Sequence, residues 1–283
     1  MFRNKVWNTV IFREPKASFS LEGPKFDTPV LSLLNNGLRR EVGFRHTTAD
    51  PFLIGIDDEL FLFAETKCSF SHGKISAWCT KSGTDWKTLG EVLSTNHHAS
   101  YPFVTSTNNE IVMIPEMGKS GELTAWTTDN FPFAWSERNK FLDGKFCDSS
   151  VIKWQGSYFL FACPEIGEHL EIYHSKTIDG PWIPHVKNPV VRGRARARNG
   201  GGPIIWQGNL YRFAQNCTNT YGEKLALMKI TELTASSYSE SIVDDDFLPR
   251  NKPWNRHGGH HFSMTDFGPF VYYAVDGLSL IHI

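Results

Sequence analysis

Long apolar runs are missing from this chain. No stretch approaches the ~18 consecutive apolar residues of a membrane-crossing helix, so no membrane span is expected. The N-terminus, Met1-Phe2-Arg3-Asn4-Lys5, lacks the apolar core of a secretory signal, and a cytoplasmic location is the resulting expectation. An excess of one charge is missing too. Lys+Arg 29 against Asp+Glu 30 leaves a net charge of −1, where a general nucleic-acid binder would show a marked basic excess. Cysteine is scarce. Cys68, Cys79, Cys147, Cys163 and Cys217 are odd in number, scattered, and form no C-x-x-C pair, so reduced and mostly buried thiols are expected. With 40% hydrophobic and 21% charged residues, wholesale disorder is excluded, and 283 residues suffice to bury a substantial core.

Aromatics are abundant: 21 Phe, 9 Trp and 8 Tyr, beside 23 Gly and 15 Pro. That mixture predicts many short strands joined by tight turns. One pattern recurs, an apolar run, a polar turn and a second apolar run. It reads Asp50-Pro51-Phe52-Leu53-Ile54, a turn at Asp57-Asp58, then Leu60-Phe61-Leu62-Phe63-Ala64-Glu65. Equivalent hairpins start at Tyr101 (turn at Asn108-Asn109), Asp148 (turn at Gln155-Gly156), Gly200 (turn at Gln207-Gly208) and His260. The starts are 51, 47, 52 and 60 residues apart. Each interval holds two further strands, such as Lys74–Cys79 and Leu170–Ser175. Four strands repeated at about 50 residues describe a propeller blade. A β-sandwich also spaces strands regularly, but it does not predict hairpins in a constant internal register.

The expectation is therefore an all-β, single-domain, five-bladed β-propeller spanning residues 41–277. Residues 1–40 supply a strand to close the ring, and 278–283, without turn chemistry or repeat register, read as a tail of doubtful origin on a truncated end. Inner strands line a central channel, so the five matched positions should gather around one axis. Two are carboxylates, Asp50 and Asp148, and one is His260.

The Ala49-Asp50-Pro51 start and Gly259-His260-His261 before an aromatic strand resemble the five-bladed glycoside hydrolases of families 43, 62 and 32. That resemblance implies Asp50 as general base, Asp148 as the orienting carboxylate, and His260 as a channel residue holding a calcium ion or water. No cofactor is otherwise required. It also implies a Glu-Gly-Pro general acid, where this chain has Gly201-Gly202-Pro203. Inverting hydrolysis needs both acid and base. Loss of the acid costs about 10²–10⁴-fold. Glu65 and Glu116 end their strands, and an antiparallel partner returns toward the same end, so Glu116 is the substitute considered. Tyr101-Pro102-Phe103, Met113-Ile114-Pro115-Glu116 and Arg198-Asn199-Gly200-Gly201-Gly202-Pro203 are similar to another branch, the N-terminal propeller of plant glucosamine inositolphosphorylceramide transferases and bacterial relatives. This branch implies a carbohydrate context and a fused or partner transferase domain.

Arg192, Arg194, Arg196 and Arg198 alternate just before the blade-four glycines. In an extended segment they share one side, suited to a phosphate or carboxylate on a sugar. The plainer reading is a charged edge that blocks sheet-to-sheet aggregation. His257-Gly258-Gly259-His260-His261 reads as one channel histidine plus two loop histidines rather than a metal cluster; His97-His98 faces the mouth or sits in a loop. Asp50 and Asp148 each read equally as turn residues when taken alone, and only their shared register favours a site. Trp7 and Trp254 suit stacking on sugar; Trp154 and Trp206, each before a Gln-Gly turn, suit blade packing.

Two functions follow as alternatives. One is a carbohydrate-active propeller, hydrolase-like or transferase-associated, acting on a glycan, sugar phosphate or sugar nucleotide through Asp50, Asp148 and Glu116. Tyr101, Arg192, Arg194, Arg196, Arg198, His260 and His261 would bind the substrate. The other is a non-catalytic glycan-binding or scaffold module accessory to a glycosyltransferase or formyltransferase.

Overall fold

The computed structural model describes residues 3–33, 47–68, 71–107, 110–164 and 167–282. The turn expected at Asn108-Asn109 and the boundary expected between residues 40 and 41 lie outside them, as does Ile283. Among the described residues every regular element is a strand. Two N-terminal strands, β1 (Arg3–Pro15) and β2 (Leu31–Ser32), precede four consecutive blades. Blade one is β3 (Thr47–Ile56), β4 (Glu59–Lys67), β5 (Lys74–Thr80) and β6 (Lys87–Leu93). Blade two is β7 (Ser100–Thr107), β8 (Glu110–Glu116), β9 (Glu122–Asn130) and β10 (Phe133–Asp143). Blade three holds β11 (Phe146–Trp154), β12 (Ser157–Pro164), β13 (His169–Ser175), β14 (Ile183–Pro184) and β15 (Val191–Arg192). Blade four is β16 (Ile204–Trp206), β17 (Asn209–Asn216), β18 (Lys224–Leu233) and β19 (Tyr238–Asp244). The chain ends with β20 (Phe262–Phe267) and β21 (Phe270–His282).

The protein is a five-bladed β-propeller. Each of the first four blades pairs its strands antiparallel in chain order, save that β15 returns to pair with β13, while the fifth runs β20-β21-β1-β2 and so joins both ends of the sequence. β1 and β21 pair continuously from Arg3↔His282 to Pro15↔Phe270. Residues 278–282, set apart as a tail on sequence grounds, continue β21 against residues 3–7. Their partner is remote in sequence, which is why no local repeat marks them.

Local chemistry explains the hairpins. The Gln155-Gly156 and Gln207-Gly208 pairs take φ of 47° and 77°, and 48° and 76°. Positive φ at both central residues makes the turn whose twist matches the flanking strands. Buried residues dominate the second strand of each blade, as in β4 and β12, because both faces meet a neighbouring blade. The core accordingly lies between blades. Phe52, Phe63, Val112 and Leu160 join blades one to three; Phe12, Phe213, Phe262 and Tyr273 join four and five. Leu62, Trp78 and Tyr272 seal blade five against blade one.

One irregularity repeats. In blades one, two and three the first hairpin slips register between Ala49 and Phe52, Ser100 and Phe103, and Cys147 and Ser150. These bulges carry Asp50, Tyr101 and Asp148 at φ of 52°, 45° and 49°. An L-residue in the left-handed region is uncommon and costs of order 1–3 kcal/mol, a strain that clusters at functional sites.

Candidate functional site at the channel mouth

The bulges aim the three strained residues at the axis, and the returning strands add a second ring. Glu65, Glu116, Cys163 and Gln215 each follow their matched start by fifteen residues. Asp276 follows His261 by fifteen, so His261 holds the matched position and the sequence register set blade five one residue early. The cause is visible in the strand, where Phe262 pairs with Val275. His260 and His261 are both buried in the channel, so two histidines rather than one enter it.

Asp276 is the anchor of the fifth-blade side. Its Oδ1 accepts the backbone N–H groups of His260 (3.0 Å) and His261 (3.1 Å), and its Oδ2 accepts that of Asp50 (3.2 Å). His260 Nδ1 lies 2.6 Å from Asp276 Oδ2, while its Nε2 is 3.9 Å from Asp50 Oδ1. The His260 pKa is set against burial by Asp276 and Asp50, which together raise it. His261, fully buried and without a hydrogen-bond partner for either ring nitrogen, is pushed down to about 4 by burial. Burial holds Asp50 well above the usual carboxylate range. Its Oδ2 accepts the N–H of Tyr101 at 3.3 Å.

Asp148 faces the other wall. Arg198 Nε reaches its Oδ2 at 2.5 Å, and Gln215 Nε2 donates to the same oxygen at 2.9 Å. Glu116 Oε2 accepts the Asp148 N–H at 3.2 Å and lies 3.7 Å from Arg198 Nη2. Burial and the neighbouring Asp148 raise the Glu116 pKa well above its ordinary value. Glu65, half of a pair with His98 Nε2 at 3.4 Å, is raised by burial to about 7.

An aromatic rim completes the mouth. Trp7 stacks on His260 with ring centroids 4.0 Å apart, Tyr221 meets His260 edge-on at 5.1 Å, and the Arg198 guanidinium sits 5.0 Å over Tyr221. Tyr221 remains 46% exposed, so an aromatic edge is open to a ligand.

Other expected site residues are not gathered there. Residues 194–198 form turns and bends rather than a strand, beginning at Gly193 with φ 95°, so period-2 spacing does not align the four arginines. Arg192 is exposed beside β13, and Arg194 binds the Cys217 carbonyl and Glu168. The Arg196 carbonyl accepts from the buried Arg212, and Arg198 alone enters the site. Tyr101 is fully buried, and its hydroxyl accepts the Gly201 N–H across the channel at 3.2 Å. It has no exposed surface to offer a ligand.

Asp50, His260 and Asp276 place three donor atoms within 4.8 Å of one another, a group that includes His260, the residue at which the resemblance implies a calcium ion or water. Calcium takes 6–8 oxygen ligands. Both Asp276 oxygens already accept backbone N–H groups, so this set does not fit a directly ligated calcium.

Sequence comparison matches residues 30–277 to the family described as glucosamine inositolphosphorylceramide transferase 1, N-terminal. The transferase of that name from Oryza sativa subsp. japonica is 39% identical over 240 residues, covering 80% of this chain and 32% of its own length. The Arabidopsis thaliana protein is 35% identical over 238 residues, covering 79% and 31%. The chain thus spans about a third of the length of these relatives. Among solved structures, a family 117 glycoside hydrolase of Zobellia galactanivorans superposes with a TM-score of 0.58 at 10% identity, covering 82% of this chain and 84% of that one. The catalytic domain of a Coprinopsis cinerea family 62 α-L-arabinofuranosidase gives 0.60 at 11%, covering 81% and 90%. At such identities these two establish the fold alone. The match over residues 30–277 and the plant relatives establish the rest: the chain belongs to the family of glucosamine inositolphosphorylceramide transferase N-terminal domains.

Proposed function

We propose that the channel mouth binds a glycan on behalf of a transferase, carried as a fused domain or a partner, and does not itself hydrolyse glycosides. The observation that carries this reading is Gly201. A Cβ there would stand 2.0 Å from the Phe262 carbonyl oxygen, at a backbone φ of 138°. Blade four has no room for the acid that hydrolysis needs at that place. Asp50 and Glu116 offer carboxyl groups to sugar hydroxyls, the Asp148–Arg198 pair offers both acceptor and donor, and Tyr221 and Trp7 present apolar ring surface to sugar C–H faces. The names of the plant relatives support a carbohydrate ligand.

A second reading keeps hydrolysis, with Glu116 as acid, and its support is the raised Glu116 pKa. A thermal-shift panel separates the two. It sets neutral oligosaccharides, uronic-acid oligosaccharides, inositol-phosphate glycans and nucleotide sugars against the protein, beside an assay for glycoside turnover. The binding reading expects stabilisation by a glycan, about 2.7 kcal/mol at one hundred times the dissociation constant, with no turnover. Turnover that disappears in both Asp50→Asn and Glu116→Gln would establish hydrolysis instead.

A further inference from the structure

Beside the carboxylate wall lies a second concavity, a cavity of about 340 Å³ with Glu116 on its shared side. Lys67, His72, His98, Lys119 and Lys145 converge on it from blades one to three. Like charges do not gather in a concave surface without cost, and here the cost is legible in one ring. His98 Nδ1 accepts the Gly73 N–H at 2.9 Å, which fixes its proton on Nε2. Burial lowers the His98 pKa, and Lys67, His72 and Lys119 each lower it further. Among the described residues neither Lys67 nor Lys119 has a carboxylate within ion-pair distance, and both are exposed at the cavity rim. Glu65 feels the charge of Lys67 but directs its Oε1 to His98 Nε2 at 3.4 Å.

We propose that this cavity binds the phosphate of a phosphorylated sugar or polyol whose ring extends across Glu116 toward Asp148 and the channel mouth. The inference rests on the glycan reading above and adds the anionic substituent, which it moves from the arginine segment to the lysine cavity. Lys67 and Lys119 supply the compensating charge, and the half-buried Glu116 links the cavity to Arg198 and Asp148.

Calorimetry on the full 283-residue chain tests this with inorganic phosphate, myo-inositol 1-phosphate, myo-inositol and a neutral oligosaccharide as probes. The expected result is binding of both phosphates, tighter for the ester, and weaker at 0.5 M salt than at 0.1 M. The Lys67→Gln/Lys119→Gln double variant should lose about tenfold or more in phosphate affinity, and Arg192→Gln should lose none. Thermal melts of these surface variants check that they fold. No phosphate binding, or binding unchanged in the double variant, overturns the cavity assignment. Equal affinity for the ester and free phosphate overturns the extension toward Asp148. Phosphate binding without any response to glycans leaves the cavity standing and sinks the glycan-binding reading; the reverse pattern does the opposite.

Discussion

Gly201 and Glu65 show how single residues decide what this site does. Restoring the expected acid by Gly201→Glu should not produce a glycosidase. The added Cβ must displace the Phe262 backbone, and even Gly201→Ala should cost about 2 kcal/mol or more, read as a lowered urea midpoint. Glycosidase activity appearing in a folded Gly201→Glu protein would overturn the steric argument. Glu65 makes a prediction in pH. Its pKa is about 7 in the folded protein against an ordinary 4.5, so the folded state favours the protonated acid. That contribution is fully present below pH 4.5 and is lost as pH rises through 7, an amount of about 3 kcal/mol. Glu65→Gln should therefore match the parent near pH 4 and exceed it in stability at pH 8, measured by urea unfolding across that range. An equal gap at both ends would sink the assignment. His261 works with the opposite sign. Lowered to about 4, it withdraws stability as pH falls from about 6.5 toward 4, so only the parent–variant difference isolates Glu65.

The bulged strand start is the element that builds the mouth, and strain and charge at it can be separated. Asp50→Asn keeps a side chain that tolerates the left-handed region, whereas Asp50→Val adds a β-branched clash. The valine variant should be about 1–2 kcal/mol less stable than the asparagine one by equilibrium unfolding, and equal stability would deny the strain. Much of this element was readable in advance. Alternating apolar runs around Gln-Gly turns state the hairpin register directly, and that register brought Asp50, Tyr101 and Asp148 to one axis. The second ring was readable only in part. Glu65 and Glu116 stood out from their places at strand ends; Cys163, Gln215 and Asp276 share the offset but no residue type, so only the fold reveals their equivalence. Blade five misled by one residue because the pairs Phe262↔Val275 and Ser263↔Ala274 make His261, not His260, the position equivalent to Asp50. The arginine segment misled because Gly193 turns the chain out of the extended geometry that a period of two requires. The pairing of β1 with β21 has no local signal at all, since its residues are separated by nearly the whole chain.

For the whole molecule that seam is the condition of closure. Deleting residues 3–15 removes the third strand of blade five and exposes Val275, Tyr273 and Val271, all fully buried in the intact ring. The truncated chain should lose its cooperative melt and elute as aggregate in gel filtration; a monomer with an intact melt would show that four blades and a hairpin suffice. The same seam has a mechanical consequence. Arg3 sits opposite His282, and the two strands run antiparallel from there into the body. Tension applied at the two chain ends would load the ladder one bond pair at a time, like pulling apart the tabs of a zip, instead of loading all its bonds in parallel. A ring that resists heat as a unit would therefore open at low force when drawn by its ends, and resist far better when gripped through two opposite blades.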